Sequence, residues 1–358
     1  MLPTAERAGV ALGKNMYKKM AILVLALLAD SAMAIEPLAG CADQVDDRLR
    51  LACYDNAYKR LKAGSETVND AQIVAQVAPG ASQRESSVMS RTWELGPNDK
   101  RNTFVVRTYL PNFLLPLHYT SDINRAPRSP TQAAGATNKD YSNVEAKLQI
   151  SLRAKVVEDL LLPGADLWAA YTQHSLWQLW DSGDSAPFRS TDYQPELIYV
   201  VPVPEKFGKL PLGWNLRMFQ LGFAHQSNGQ SNPLSRSWNR ITLGAGFEHG
   251  DFSLLVRDNQ RVHVQGNDDN PDLVEHIGRT EFNVAWSPGN STLGLTWRTN
   301  FDSLSRGSLQ LDWTYPVFAD QPAGLRWYAQ LFHGYGETLL DYNHRQTSLG
   351  LGLTLFQF

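Results

Sequence analysis

The stretch "VEAKLQISLRAKV", residues 144–156, decides the fold class. Val144, Ala146, Leu148, Ile150, Leu152 and Ala154 fall on one face, and Glu145, Lys147, Gln149, Ser151, Arg153 and Lys155 on the other. Strict alternation of apolar and polar residues is the period of a β-strand. The pattern repeats outward from there. Leu309, Leu311, Trp313 and Tyr315 oppose Ser308, Gln310, Asp312 and Thr314. Leu325, Trp327, Ala329 and Leu331 oppose Arg326, Tyr328 and Gln330, and Leu349, Leu351, Leu353 and Leu355 oppose Gly350, Gly352 and Thr354 before the chain ends on Phe358. About twelve such segments lie between residues 104 and 358, near 112, 146, 168, 196, 218, 241, 255, 281, 295, 311, 328 and 352. Turn signals such as "SPGN" and "DNPD" separate several of them.

Strands of about 10 residues exceed the usual 5 to 6 of soluble sheets and match a tilted strand crossing a bilayer. A secreted β-sandwich explains the alternation, but not the strand length, the terminal Phe358 and the lipid-sized apolar faces together. The expectation is therefore an all-β fold, a transmembrane antiparallel β-barrel of about twelve strands over residues 101–358. An even number closes the barrel with both chain ends on one side. Aromatic residues at 10%, including 10 Trp, and charged residues at only 19% suit a membrane protein. No apolar run approaches the roughly 20 residues of a spanning helix. The net charge of −3 gives no electrostatic case for nucleic acid.

Residues 1–34 read as a signal peptide. Lys18 and Lys19 precede the apolar run "MAILVLALLA", residues 20–29, and "SAMA" ends at Ala34 as a cleavage site. Residues 1–15 read as an over-extended N-terminus, because Met16 starts a better signal. Cys41 and Cys53 then lie in an exported segment, where an even count favours one local disulfide pinning a short helical segment over residues 35–62. Residues 63–100 are rich in small polar residues without period and read as a flexible linker.

Within the barrel, "QLGFAHQSNGQSNPLSRSWNRIT", residues 220–242, sets His225, Ser227 and Asn239 around a turn. Phe219, Leu221, Phe223, His225 and Ser227 share one face, as do Asn239, Ile241, Leu243, Ala245 and Phe247 across the turn. Arg236, Arg240, Thr242 and Gly244 fall on the polar, lumen-facing side. All three polar residues thus have lipid-facing parity. A hairpin symmetric about residue 232 makes His225 and Asn239 direct neighbours, about 5 Å apart at Cβ. Ser needs a base to become a nucleophile, His is near-neutral at physiological pH, and the Asn carbonyl oxygen orients the imidazole without adding charge. A polar trio on a barrel's outer rim is costly unless it is used.

The segment "HQSNGQSNPLSRSWNR" resembles the catalytic segment of the outer membrane phospholipase A family, the calcium-dependent integral-membrane lipases of Gram-negative bacteria. The likeness extends in order through "YTQHSLWQL", "SAPFRSTDYQPEL", "NDDNPD" and "GYGETLLDYN", over roughly residues 100–358. The resemblance implies a twelve-stranded barrel, active as a homodimer, that hydrolyses phospholipid acyl esters with A1, A2 and lysophospholipase-type activity. It implies Ser227 as nucleophile, His225 as base and Asn239 as orienting residue; the expected oxyanion donors are the backbone N–H of Ser227 and calcium-polarised water, with the Gly229 N–H as a further donor. It implies a calcium ion at the dimer interface, held by the Ser185 hydroxyl from the partner subunit and the backbone carbonyls of Gln230 and Ser235. The family's Arg is Gln230 here, which keeps a carbonyl ligand but loses any attraction for anions. A second calcium site would fall on Asn232 and Asp269, and the missing carboxylate at Asn232 puts that site in doubt. Gln173 shares the outward parity of Tyr171 and Trp177, and the resemblance implies that it bonds across the dimer. The acidic turn "NDDNPD", residues 267–272, reads equally as a solvated loop or a metal site. His174, His263 and His333 show no ligand spacing and read as structural. The expected function is an outer-membrane, calcium-dependent phospholipase embedded in its substrate membrane. The alternative is a non-catalytic outer-membrane barrel, a porin or passive channel, and a rival protease is disfavoured by the outward Ser–His pair.

Overall fold

The computed structural model of the chain describes Asp46, residues 50–53 and residues 87–355, apart from 136–139, 182–186, 263–267 and 304. The chain divides into two units, Met1–Arg84 and Glu85–Phe358. In the first, residues 50–53 are helical and Cys53 is disulfide-bonded. Cys41 and the expected signal peptide, residues 1–34, lie outside the described residues, as does most of the 35–62 segment.

The second unit is a closed antiparallel barrel. Its strands are β1 (Asn112–Thr120), β2 (Val144–Val157), β3 (Asp166–Trp177), β4 (Phe188–Pro202), β5 (Asn215–Ser227) and β6 (Ser237–His249). They continue as β7 (Phe252–Val262), β8 (Thr280–Trp286), β9 (Thr292–Thr299), β10 (Ser308–Pro316), β11 (Arg326–Tyr335) and β12 (Arg345–Leu355). Each strand pairs with its sequence neighbours, and β12 closes on β1. Every expected strand position falls inside one of these elements. The two residues Arg107–Thr108 add a short bridge to β2.

Parity separates two environments. On β2, Val144, Ile150 and Leu152 are exposed, whereas Glu145, Lys147, Ser151, Arg153 and Lys155 are buried in the lumen. A soluble sheet buries its apolar face, so this inversion marks a wall whose outer solvent is lipid. The buried charges are paired. Arg189 grips the Glu145 carboxylate at 2.9 and 3.0 Å and reaches Asp341 at 3.2 Å. Lys147 Nζ reaches Glu337 at 2.7 Å and Gln330 at 2.5 Å, and Arg257 reaches Glu281 at 2.7 Å.

The connections alternate in character. The connections after β1, β3, β5, β7, β9 and β11 lie at one end and take 23, 10, 9, 17, 8 and 9 residues of sequence, and those after β2, β4, β6, β8 and β10 lie at the other and take 8, 12, 2, 5 and 9. Single-chain bacterial barrels carry their longer loops outside and short turns on the periplasmic side. The 228–236 loop therefore belongs to the extracellular end.

The linker expectation needs correction at its end. Residues 63–86 lie outside the described residues, but Val88–Trp93 form a helix, α1, and Pro97–Asp99 a 3-10 turn. Ser87 caps α1 by accepting from the Ser90 N–H at 3.1 Å. Met89 and Trp93 pack with Tyr109, Trp168, Ile198 and Met218 inside the barrel, and the Met89 N–H donates to Glu248 at 2.7 Å. The Arg153 guanidinium lies 4.0 Å from the Trp93 ring and donates to the Thr92 carbonyl at 2.6 Å. Burial of two large side chains and a cationic contact order a segment whose composition alone reads as loose.

Arg189→Met strands two buried carboxylates without their counter-charge. The variant is expected to lose about 3–5 kcal/mol of unfolding free energy, read by urea titration in lipid vesicles. A loss below about 1 kcal/mol, the range of exposed pairs, would show that the lumen behaves as bulk water there.

Candidate active site

The hairpin β5–β6 pairs His225 with Asn239 and Ser227 with Ser237, so it is symmetric about residue 232. His225 Nδ1 lies 2.8 Å from Asn239 Oδ1. An amide oxygen only accepts, so the proton of this bond sits on Nδ1 and the neutral ring keeps its lone pair on Nε2. Ser227 follows two residues on, the last residue of β5, on the same outward face. Below the trio on that wall stand exposed Phe223, Leu221, Ile241 and Leu243. The three polar residues therefore sit where the apolar belt meets the extracellular loops, each half-buried.

Asn228 builds the loop that follows. It is buried, and its Oδ1 accepts from the Arg236 N–H at 2.9 Å and the Gln230 N–H at 3.3 Å. Its Nδ2 donates to the Leu234 carbonyl at 2.7 Å, while its backbone N–H continues the ladder to the Arg236 carbonyl at 3.0 Å. One side chain thus ties both ends of the turn together. Gly229 has φ +63, a conformation that favours glycine, and a Cβ there would come within 3.1 Å of the Tyr193 ring. The Gly229 N–H has no acceptor among the described residues, whereas Ser227 is flanked within the sheet by Ser237 and Tyr193. Of the two expected backbone donors to the oxyanion, Gly229 is the one outside the ladder.

Gln230 and Ser235 lie in the same turn, with Gln230 exposed. Their carbonyls are neutral hard oxygens, a donor type suited to calcium, and Asn228 fixes the backbone that carries them. The Ser235 carbonyl also accepts from Arg236 Nη1 at 2.6 Å, leaving its second lone pair. The donor set fits a weakly held cation, because neither oxygen brings a charge. Ser185 lies outside the described residues. Among the described residues no cluster of three acidic, His or Cys side chains is arranged to hold a metal. Asp269 is already engaged: one oxygen accepts from Ser235 Oγ at 2.6 Å and the other from Gln132 Nε2 at 2.8 Å. Asn232 is exposed on the same loop and carries an amide where a carboxylate would supply charge.

Arg236 is fully buried behind the turn, where burial lowers its pKa against the opposing pull of Tyr342, Asp269 and Asp272. Tyr342 donates to Asp272 Oδ1 at 2.5 Å, and burial together with that bond raises its phenol pKa. Loop 336–344 is thereby tied to the "NDDNPD" turn, in which Asp268 pairs with Arg261 at 2.7 Å. Gln173 lies on the outer face of β3, half-buried, with the Tyr171 hydroxyl 3.3 Å from its Oε1.

Sequence reasoning missed Asn228 and Tyr193, whereas Arg236 is buried on the inner side where its parity put it. The "SNG" triplet marks a turn, but nothing local shows that the Asn side chain spans it. Tyr193 comes beside Ser227 only through the β4–β5 register.

The chain matches the family model described as Phospholipase A1 over residues 89–355. It is 36% identical to a putative phospholipase A1 of Neisseria meningitidis serogroup B, over 93% of this chain and 94% of that protein. It is 35% identical to phospholipase A1 of Escherichia coli K12, over 71% of this chain and 82% of that one. A solved Salmonella typhi outer membrane phospholipase, a dimer with bound calcium, superimposes with a TM-score of 0.63 at 32% identity, covering 72% of this chain and 94% of that one. Outer membrane phospholipase A from Escherichia coli gives 0.62 at 32% identity, covering 71% and 100%.

Asn228→Ala removes the acceptor that serves two N–H groups. It is expected to destabilise the 228–236 turn by about 1–3 kcal/mol, seen as faster amide hydrogen exchange at Gln230 and Arg236 with the β5–β6 ladder still protected. Unchanged exchange at both amides would assign the turn's order to other contacts.

Proposed function

The chain belongs to the phospholipase A1 family, and from that premise we propose that it is an outer-membrane phospholipase whose reacting groups are Ser227, His225 and Asn239. The observation that carries the reading is the 2.8 Å His225–Asn239 bond on the lipid-facing wall, one alternation from Ser227. A phospholipid in the leaflet lays its acyl chains against Phe223, Leu221, Ile241 and Leu243 and brings its ester to the level of the trio.

Ser227 Oγ attacks the ester carbonyl carbon as His225 Nε2 takes its proton. Asn239 holds the imidazole through Nδ1 and accepts from it in both charge states. The Gly229 N–H donates to the developing oxyanion. Collapse breaks the ester C–O bond, and His225 returns the proton to the leaving lysophospholipid alcohol. Water then attacks the acyl-serine with His225 again as base, releasing fatty acid and restoring Ser227. Calcium, when bound by the carbonyls of Gln230 and Ser235 and by Ser185 of the partner subunit, supplies positive charge near the oxyanion. The same residues serve diacyl and lysophospholipid esters alike, because the chemistry involves only the ester itself. Gln173, on the outer wall, meets the partner subunit in this reading and satisfies its amide there. A passive channel is disfavoured by α1, whose Met89 and Trp93 pack inside the barrel against Tyr109, Trp168 and Met218.

Two outcomes follow for the purified barrel in detergent with calcium. Ser227→Ala is expected to lower kcat by about 10⁴-fold or more while the barrel stays folded. Asn239→Ala loses about 10²-fold, the lower end of what a general base contributes, because the base remains but is no longer held. Folded Ser227→Ala with near-wild-type turnover removes the nucleophile assignment, and equal losses in both variants give Asn239 more than an orienting part.

Chelation is expected to abolish turnover and shift the protein from dimer to monomer together, since one turn offering two carbonyls cannot fill a calcium shell of six or more oxygens. Analytical ultracentrifugation beside the assay measures both. Ser185→Ala weakens the calcium dependence of each, and a chelated monomer with full activity overturns the calcium reading.

A further inference from the structure

The alternation that sends His225, Ser227 and Asn239 to the outer wall sends Gln226, Trp238 and Arg240 to the lumen. Gln226 and Trp238 are direct cross-strand partners, the pair between His225–Asn239 and Ser227–Ser237. Trp238 Nε1 donates to Gln226 Oε1 at 3.0 Å, and Arg240 Nη1 donates to the same oxygen at 3.4 Å. Both donor residues are buried. The Arg240 guanidinium lies 4.6 Å from the Trp238 ring, and its Nη2 stands 3.6 Å from Glu196 on β4. Trp238 itself packs with Leu273, Leu339 and Tyr342 under the extracellular loops. One amide oxygen therefore joins β5 to β6 directly behind the reacting residues, and Arg240 carries the tie to β4.

Side chains on the outer wall have no packed protein of their own barrel on their far side, so their mutual geometry depends on the backbones that carry them. Building on the reading of Ser227, His225 and Asn239 as the hydrolytic site, we propose that Gln226 is a positioning residue for the reaction. Its Oε1 pins the β5–β6 pair from the lumen and so holds Ser227 and His225 in attack geometry. The chemistry at this position is specific. Indole and guanidinium only donate, so only an acceptor oxygen satisfies both. A carboxylate at 226 keeps that acceptor and strengthens the bond to Arg240. An alkyl group removes the acceptor of Trp238 Nε1 and Arg240 Nη1 and leaves Arg240 to Glu196 alone, so the indole turns away in search of another acceptor.

The test compares the full chain with Gln226→Ala, Gln226→Glu and Trp238→Phe in detergent with calcium, using Ser227→Ala as the control for the site. Folding is checked by heat-modifiable migration. Gln226→Ala is expected to lower kcat about tenfold or more, as small misplacements of reacting groups do, with KM within about twofold because lipid binding lies outside. It should slow covalent labelling of Ser227 by a sulfonyl fluoride in parallel. Gln226→Glu restores both rates to within about threefold of wild type. A folded Gln226→Ala with unchanged kcat and labelling, beside an inactive Ser227→Ala, overturns the positioning role. Equal losses in the Ala and Glu variants overturn the acceptor argument. Should Gln226→Ala not fold, Trp238→Phe decides: loss of the indole donor lowers kcat and labelling, and unchanged rates overturn the proposal. An active Ser227→Ala removes the hydrolytic site and this inference with it.

Discussion

A backbone N–H or C=O in hydrocarbon has no water to bond, so every such group on the spanning strands must find a partner in the sheet. That constraint closes the barrel, with β12 on β1 and β2 on β3, and leaves no edge in the lipid. Closure then divides each strand between two solvents. Ile150 and Leu152 meet lipid while Lys147, Arg153 and Lys155 of the same strand are buried within. The charges buried inside the barrel are met by ion pairs, such as Arg189 with Glu145 and Asp341. The inside of this protein is polar because its outside is not.

The same division explains the chemistry proposed for the outer wall. A carboxylate facing the belt would carry a desolvation penalty that a neutral amide avoids. Asn239 gives His225 an acceptor at 2.8 Å without placing a formal charge beside lipid. In the proposed mechanism the trade is a weaker hold on the imidazolium that would form as Ser227 attacks. In the proposed reading, calcium held by the neutral carbonyls of Gln230 and Ser235 would offset that weakness by supplying positive charge near the oxyanion.

Much of the fold was legible because the membrane imposes a period of two with uncommon strictness. All twelve strand positions followed from alternation, and the His225–Asn239 pairing followed from the symmetry of one turn. What alternation carries no trace of is contact between distant strands and loops. Nothing around Gln132 says that it meets Asp269, since their hydrogen bond spans loops far apart in sequence. Helix α1 was missed for a related reason. Six residues are too few to display a helical period, and their order comes from Trp93 packing on Arg153 and Trp168. The bulges of β1 and β12, where the register shifts near Leu115 and Leu351, also escape a pattern that assumes an unbroken pleat.

Where a site faces lipid, the residues that do chemistry and the residues that position them must occupy opposite faces of the same strands. A soluble enzyme surrounds its reacting groups with protein on several sides. In the proposed reading the outer side belongs to the membrane and the partner subunit, and within the barrel the backbone transmits rigidity from the lumen. Above Ser227 the constraint is Asn228, tying Gln230, Leu234 and Arg236. Below it, the lumen places the Gln226–Trp238–Arg240 contacts between the two outward pairs. Apolar neighbours such as Phe223 and Ile241 are exposed on the outer wall, so exchange among large apolar side chains there leaves the barrel's own packing little changed. A polar substitution in the lumen disturbs a directional contact whose geometry is passed on through the strand. Sensitivity to mutation should therefore track the buried polar face of β5 and β6 more closely than distance from the ester.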